Sequence, residues 1–394
     1  MNTRPPLLFY CQHSVGLGHL VRSFALAGAL AERFRVVLLC GGRVPGSLRP
    51  PPDVELVALP PLGVGSNGDF TSHDAGLSVE DARTVRREAI LATFRALQPE
   101  ALVIELFPFG RAKFAKELLP LLEEARTGTA QPPLVTCSLR DILVGRRADQ
   151  AAHDERACRI ANRHFDAVLV HSDPGFARLE DSFAMRSRLR VPVHYTGFVR
   201  PGGGPRPLRR ERRVVVSAGG GRVGEPLLTA AVRAHGAIAA ATGLRMTVIG
   251  GPFLAEPAWR RVRAEARRHE GIELVRTVPD LEALLRSARA SISQCGYNTA
   301  IEVVSARVPA LVVPFATPEE DEQTARARRL AALGAVRMLD PERLDPDLLA
   351  AEVRRLLDFR PRSAGLDLGG AERTTGLLSE LVAERGGARE ASAR

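Results

Sequence analysis

Lysine is almost missing from this chain. Lys113 and Lys116 are the only two, although lysine and arginine together number 55 against 45 acidic residues, for a formal net charge of +10. The positive charge is therefore arginine spread along the chain, which reads as a compositional bias. The one dense basic cluster, residues 206–213, falls in a segment rich in proline and glycine. Aromatic residues make up 5%, too few for a base-stacking platform, so nucleic acid is not an expected partner. No apolar run approaches the roughly 20 residues that a membrane span requires. The start, with Arg4 ahead of a short apolar run at 7–11, lacks a signal peptide's apolar core and cleavage site. The expected compartment is cytoplasmic, with a basic surface suited to peripheral contact at the inner face of a membrane. Cys11, Cys40, Cys137, Cys158 and Cys295 are odd in number and scattered on apolar segments. That pattern predicts buried free thiols and offers no zinc spacing.

Apolar content of 45% and charged content of 25% are those of a globular protein, and 394 residues exceed one ordinary core. Strand, glycine loop and helix alternate throughout, which predicts an α/β fold of two doubly wound, Rossmann-like domains facing a cleft. The expected boundaries are a first domain at 1–198, a linker at 199–212, a second domain at 213–360, a helical segment at 361–385 and a frayed tail at 386–394. The connection at 60–77 holds Asp69, His73 and Asp74 and is far longer than the usual 4 to 6 residues or so, the mark of a functional loop.

Three segments carry chemistry. Gly16-Leu-Gly18-His19-Leu-Val-Arg22 follows the first strand and opens a helix, the context in which a glycine loop lets backbone approach a ligand. His19 in the first helical turn suits a general base, with Asp69 as the carboxylate that assists it. The plain alternative is a helix-start histidine bonded to a carbonyl. Ser217-Ala-Gly219-Gly220-Gly221-Arg222 is the matching loop of the second half, and an arginine fork there suits phosphate oxygens. The third segment, 291–334, packs two strand-to-helix turns and an acidic-amide pair together. A buried strand ends at Cys295-Gly296, Asn298 or Thr299 is expected to cap the next helix, and Glu302 lies one turn on. In a parallel sheet these residues face the crevice beyond the strands' carboxyl ends, where a helix N-terminus attracts phosphate and an acidic residue can take ribose hydroxyls. Glu105, Phe107, Phe109, Arg111, Arg140, Asp141, His171 and Asp173 fall on first-half loops expected to rim the same crevice. No paired carboxylates of the DXD kind stand at a strand end, so no metal is expected.

Gly296-Tyr-Asn-Thr-Ala-Ile-Glu302, then Val308-Pro-Ala-Leu-Val-Val-Pro314, then Glu322-Gln323 with Arg329-Leu330 and Gly334, resembles the donor-site signature of GT-B glycosyltransferases, and of the MurG-like group of family 28 in particular. The resemblance implies a UDP-sugar donor with no further cofactor. Gly296, Asn298 and Thr299 would lie at the diphosphate, Glu302 on the ribose, and Glu322 and Gln323 on the sugar. It also implies Gly18, Gly219, Gly220, Gly221 and Arg222 near the diphosphate and Val278, in Thr277-Val278-Pro279-Asp280, at the uracil. The expected reaction is inverting, metal-independent transfer of a hexose or N-acetylhexosamine to an acceptor hydroxyl on a glycan, lipid-linked or small molecule. The form Gly-Leu-Gly-His also resembles the UDP-sugar hydrolases of the pseudaminic acid pathway, which makes hydrolysis the alternative. Nucleotide-sugar binding without catalysis is a third. Gln294-Cys295 stand where many members of the group have serine or arginine before the glycine.

Overall fold

The structure is a computed structural model that describes residues 4–13, 18–46, 48–64, 69–145, 148–185, 188–200, 210–317 and 321–393. In chain order the first half runs β1 (Pro6–Cys11), α1 (Gly18–Leu30), β2 (Arg35–Cys40), β3 (Val54–Ala58), β4 (Leu62–Val64), β5 (Phe70–Ser72), α2 (Val79–Leu97), β6 (Ala101–Glu105), α3 (Ala115–Thr127), β7 (Leu134–Arg140), α4 (Gln150–His164), β8 (Ala167–His171) and β9 (Val193–Tyr195). The second runs β10 (Arg213–Ser217), α5 (Glu225–Thr242), β11 (Arg245–Ile249), α6 (Glu256–Ala266), β12 (Ile272–Val275), α7 (Leu281–Ser287), β13 (Ala290–Ser293), α8 (Tyr297–Ala306), β14 (Ala310–Val312), α9 (Glu322–Ala332), β15 (Arg337–Met338), α10 (Pro346–Asp358) and α11 (Gly370–Ala393).

The first half forms a parallel sheet in the order β3-β2-β1-β6-β7-β8-β9, and the second a parallel sheet in the order β12-β11-β10-β13-β14-β15. The two-residue period of a strand decides the layering. On β1, Leu8 and Tyr10 pack under helices α2 and α3, while Leu7, Phe9 and Cys11 pack under α1 and α11. Strands buried on both faces read as continuous apolar runs, which is why these were easy to find in the sequence. In both sheets the strand order reverses beside the first strand, between β1 and β6 and between β10 and β13. Loops leaving those strands diverge and open a crevice at the carboxyl end. The glycine segments follow β1 and β10, so the fold places both at the crevice.

Several expectations are corrected in detail. The connection at 60–77 holds an antiparallel hairpin, Leu62↔Ser72 to Val64↔Phe70; its strands are too short for alternation to show. Gly65, Asn67 and Gly68 of that loop, Gly16, and linker residues 201–209 lie outside the described residues. The cap of α8 is Gly296, without a side-chain hydrogen bond, in place of Asn298 or Thr299. Asn298 is committed elsewhere: its amide donates to the Gly18 carbonyl of the other half at 3.1 Å. Helix α11 continues to Ala393, past residue 386 where fraying was expected. All five cysteines are buried and free, and among the described residues no helix is long and apolar enough to cross a membrane.

Arg86 of α2 fixes the carboxyl end of β1 from behind. It donates to both Glu117 carboxylate oxygens at 2.8 and 2.5 Å, to the Gly41 and Pro60 carbonyls, to the Tyr10 hydroxyl and to Gln12 Oε1. Arg86 and Glu117 are both buried. Removing one member of such a pair strands the other charge away from water. We expect Arg86→Met to lower unfolding free energy by about 3 kcal/mol in chemical denaturation; a loss below about 1 kcal/mol, the range of an exposed pair, would show that water reaches Glu117.

Candidate active site between the two halves

Two adjoining cavities, of about 480 and 360 Å³, fill the crevice. They share Gly18, Gly220, Gln294, Gly296, Tyr297 and Gln323 in their walls. The larger is lined by Gly219, Val278, Asn298, Thr299 and Glu302, the smaller by His19, Gly221, Arg222 and Glu322. Residues far apart in sequence thus meet around one continuous space. Asp69 does not join them: it lies exposed at the start of β5.

The second half builds its wall from glycine. Gly221 adopts φ +88°, and a Cβ there would sit 2.2 Å from the Gly250 carbonyl oxygen. Gly251, at φ +82°, would drive a Cβ to 2.6 Å from the backbone of Gly219 and Gly220. The loop after β10 and the turn after β11 are locked together, so neither position tolerates a side chain. Asp280 caps α7 by accepting from the Ala283 amide at 2.8 Å and also lines the larger cavity with Thr277 and Val278. The cap and the lining coexist.

Glu302 stands half-buried in that wall. Burial, then the charges of Glu282 and Asp280, push its carboxyl up to about 8. Glu282 and Asp280 are thus the acidic neighbours of the Glu302 carboxyl in the cavity wall. Gln323 is fixed differently. Its carbonyl oxygen accepts from the Cys295 and Phe315 amides at 3.0 and 3.1 Å, which leaves the NH₂ group for the cavity.

In the first half, His19 Nδ1 lies 2.5 Å from Glu105 Oε1. The same carboxylate oxygen is held by Arg22, one turn along α1 from His19. The Glu105 side chain is fully buried and the His19 ring is 17% exposed. Burial acts to raise the Glu105 carboxyl, but His19, Arg22 and Arg111 together outweigh it and keep the group ionised. Burial drives the His19 imidazole down to about 3, with Glu105 pulling the other way and Arg111 and Arg22 adding to the fall. The result is a neutral imidazole whose Nδ1 is committed to a carboxylate and whose Nε2 is left for the cavity. Glu105, expected only at the rim, thus takes the place assigned to Asp69. No signal in the sequence marks Glu105 as that partner, because it lies 86 residues from His19.

Of the other rim residues, Phe109, Arg111 and Arg140 line the smaller cavity. His171 is buried between Ser138 and Thr196, at 2.8 Å from each hydroxyl, and serves packing. Asp141 is buried in an ion pair with Arg326 of α9, at 2.7 and 2.8 Å. Asp173 binds the Gly175 and Asp367 amides.

Residues 219–366 match the glycosyltransferase family 28 C-terminal domain. The second half of this chain thus resembles a family 28 domain. The UDP-N-acetylglucosamine--N-acetylmuramyl-(pentapeptide) pyrophosphoryl-undecaprenol N-acetylglucosamine transferase of Alkalilimnicola ehrlichii is 27% identical over 227 residues, covering 50% of this chain and 59% of that protein. Its namesake from Methylococcus capsulatus is 39% identical over 85 residues, covering 22% of this chain and 24% of its own. The match thus spans between a quarter and three fifths of these relatives' length. The crystal structure of Acinetobacter baumannii MurG superposes with a TM-score of 0.56 at 14% identity, over 95% of this chain and 100% of that one. The overall architecture is that of the GT-B proteins, and the segment that matches the family 28 domain contains the wall with Glu302 and Gln323.

The His19–Glu105 arrangement has a direct spectroscopic consequence. Following the ¹⁵N shifts of the imidazole from pH 8 to pH 5, we expect His19 to stay neutral with its proton on Nδ1. A midpoint near the ordinary histidine value of about 6.5 would show that the ring is solvated and the dyad unformed.

Proposed function

We propose that this protein transfers a sugar from a UDP-sugar to an acceptor hydroxyl. One observation carries the reading: Glu302, Gln323 and the amino end of α8 converge with the Gly219–221 loop on a cavity that opens onto His19. The uracil lies against Val278, the ribose hydroxyls donate to Glu302, and the diphosphate rests at the glycine loop and the start of α8, near Arg222. The sugar points toward Gln323 and Glu322. Unpaired amides and the helix dipole at the start of α8 favour the negative charge that builds on the departing diphosphate, so this proposed chemistry requires no metal. The names of the relatives specify UDP-N-acetylglucosamine, which supports the nucleotide and an N-acetylhexosamine or related hexose.

The acceptor enters the smaller cavity, where Leu106, Phe109, Leu143, Val144 and Phe315 form an apolar wall. That wall suits an acceptor with an apolar portion next to its hydroxyl, a lipid-linked compound among them. The hydroxyl oxygen attacks the anomeric carbon as His19 Nε2 takes its proton. The bond from that carbon to the diphosphate oxygen breaks, UDP leaves with the electron pair, and the configuration inverts. Glu105 stabilises the imidazolium as it forms. A bound diphosphate adds negative charge to the cleft and raises the His19 pKa, so the base gains strength when the donor is in place.

Two measurements test this. Ribose hydroxyls hydrogen-bond to the ionised form of Glu302, while the free protein near neutral pH holds it protonated. UDP binding must therefore expel a proton, and calorimetric affinity should rise with pH by up to about tenfold per unit below 8. Glu302→Gln should weaken binding and flatten that dependence; unchanged UDP affinity in this variant would sink the donor assignment. His19→Ala should leave UDP affinity intact and cut turnover by about 10² to 10⁴, the usual contribution of a general base. Free sugar released from the donor without any acceptor would reassign the reaction to hydrolysis.

A further inference from the structure

The donor reading leaves one contact unexplained: a guanidinium from the first half lies against the carboxylate just before Gln323. Glu322 and Gln323 are neighbours that face different ways. Gln323 has its carbonyl oxygen tied to the Cys295 and Phe315 amides of its own half. Glu322 instead pairs across the crevice with Arg140, at the end of β7. These two side chains are 14% and 15% exposed, and both line the smaller cavity. Arg140 Nη2 holds Glu322 Oε2, which leaves the other carboxylate oxygen, Oε1, to accept from a ligand hydroxyl in the cavity.

The spacing of the pair is held by its surroundings. Asp141, the next residue after Arg140, takes the two-pronged ion pair from Arg326, and Arg326 lies one turn along α9 from Glu322. Arg329, a turn further, binds the Phe176 carbonyl and Asp181. One face of α9, at positions 322, 326 and 329, is therefore anchored to the first half. A rigid buried pair next door fixes where Arg140 and Glu322 meet.

We propose that Arg140 is a positioning residue for donor choice: it holds one oxygen of Glu322 so that the other reads one hydroxyl of the transferred sugar. The inference rests on the donor-site reading above and adds to it a role for the acceptor half. The donor class it selects is a sugar hydroxylated at that position, a hexose or N-acetylhexosamine, in preference to a deoxysugar. A donor without the hydroxyl would leave that carboxylate oxygen desolvated and unmatched, the situation in which polar sites discriminate most strongly.

The test titrates UDP, UDP-glucose, UDP-galactose and UDP-N-acetylglucosamine calorimetrically into wild type, Arg140→Ala, Arg140→Lys, Glu322→Gln and the Ala/Gln double variant. The quantity read is the affinity of the tightest sugar nucleotide relative to UDP. Wild type should favour one sugar nucleotide over UDP, and Arg140→Ala should cut that preference about tenfold while changing UDP affinity by less than about twofold. Arg140→Lys should recover part of it. The double variant should lose no more than either single one, because residues that act through one contact are not additive. An equal loss for UDP and sugar nucleotide would make Arg140 a diphosphate or structural contact and overturn the proposal, as would an unchanged preference. If Arg140→Ala fails to fold, Arg140→Lys and Glu322→Gln decide by the same ratio. Failure of wild type itself to bind UDP is a separate result, which removes the donor reading and this proposal with it.

Discussion

The hydroxyl of Tyr297 is bonded on both sides to the opposite half of the molecule. It donates to the His171 carbonyl at 3.0 Å and accepts from the Val199 amide at 2.9 Å. Burial pushes its pKa well up, so it remains a donor. The ring sits beside two guanidiniums, with Arg22 of the first half 5.2 Å and Arg326 of the second 6.0 Å from its centre. Each of these arginines is itself committed across or along the crevice, Arg22 to Glu105 and Arg326 to Asp141. A shift of α8 relative to the first half would break two hydrogen bonds and misplace both cations together. The helix whose amino end faces the proposed diphosphate is thus the one that sets the distance between the halves.

The arginine bias acquires a physical meaning in this setting. Arg22, Arg86 and Arg326 are all fully buried, and Arg86 and Arg326 each bind one carboxylate through two nitrogens. A planar fork with weak hydration suits that role, where a lysine would supply a single point charge and cost more to desolvate. Around the smaller cavity the wall carries Arg22, Arg111, Arg140 and Arg222 against Glu322, with Glu105 behind. The surplus is positive where the proposed donor would bring its diphosphate, so the crevice and the ligand complete each other's charge. Outside the crevice other arginines pair at the surface, as Arg95 does with Glu124 and Arg261 with Glu225; such pairs stabilise little.

Much of the fold and of the proposed donor wall was legible because the signals are local. An apolar run followed by a glycine turn and a helix records its own conformation within about ten residues. Repeated along the chain, it leads to two parallel sheets. The position of a glycine loop after the first strand of each sheet then places Gly18 and Gly219 at the switch points without further information. Glu302 was placed by its distance from the Gly296 turn, and Gln323 by the resemblance of the segment to the donor-site signature. Asp69 stands in a long loop and carries a charge, but loop length says nothing about which carboxylate reaches a given histidine.

What the sequence by itself determined was therefore the two α/β sheets, the loops at their carboxyl ends and the residues of the 291–334 segment that face outward from them. The tertiary structure decided the pairings: His19 with Glu105 across 86 residues, Asn298 with Gly18, Arg326 with Asp141 across 185, and Tyr297 with the Val199 amide. The reason is one of range. Backbone preference and strand or helix periodicity act between near neighbours, whereas an ion pair or hydrogen bond across the crevice exists only once two separately formed sheets have docked in a particular orientation. That orientation is the sum of many buried contacts, none of which leaves a mark at its own position in the chain.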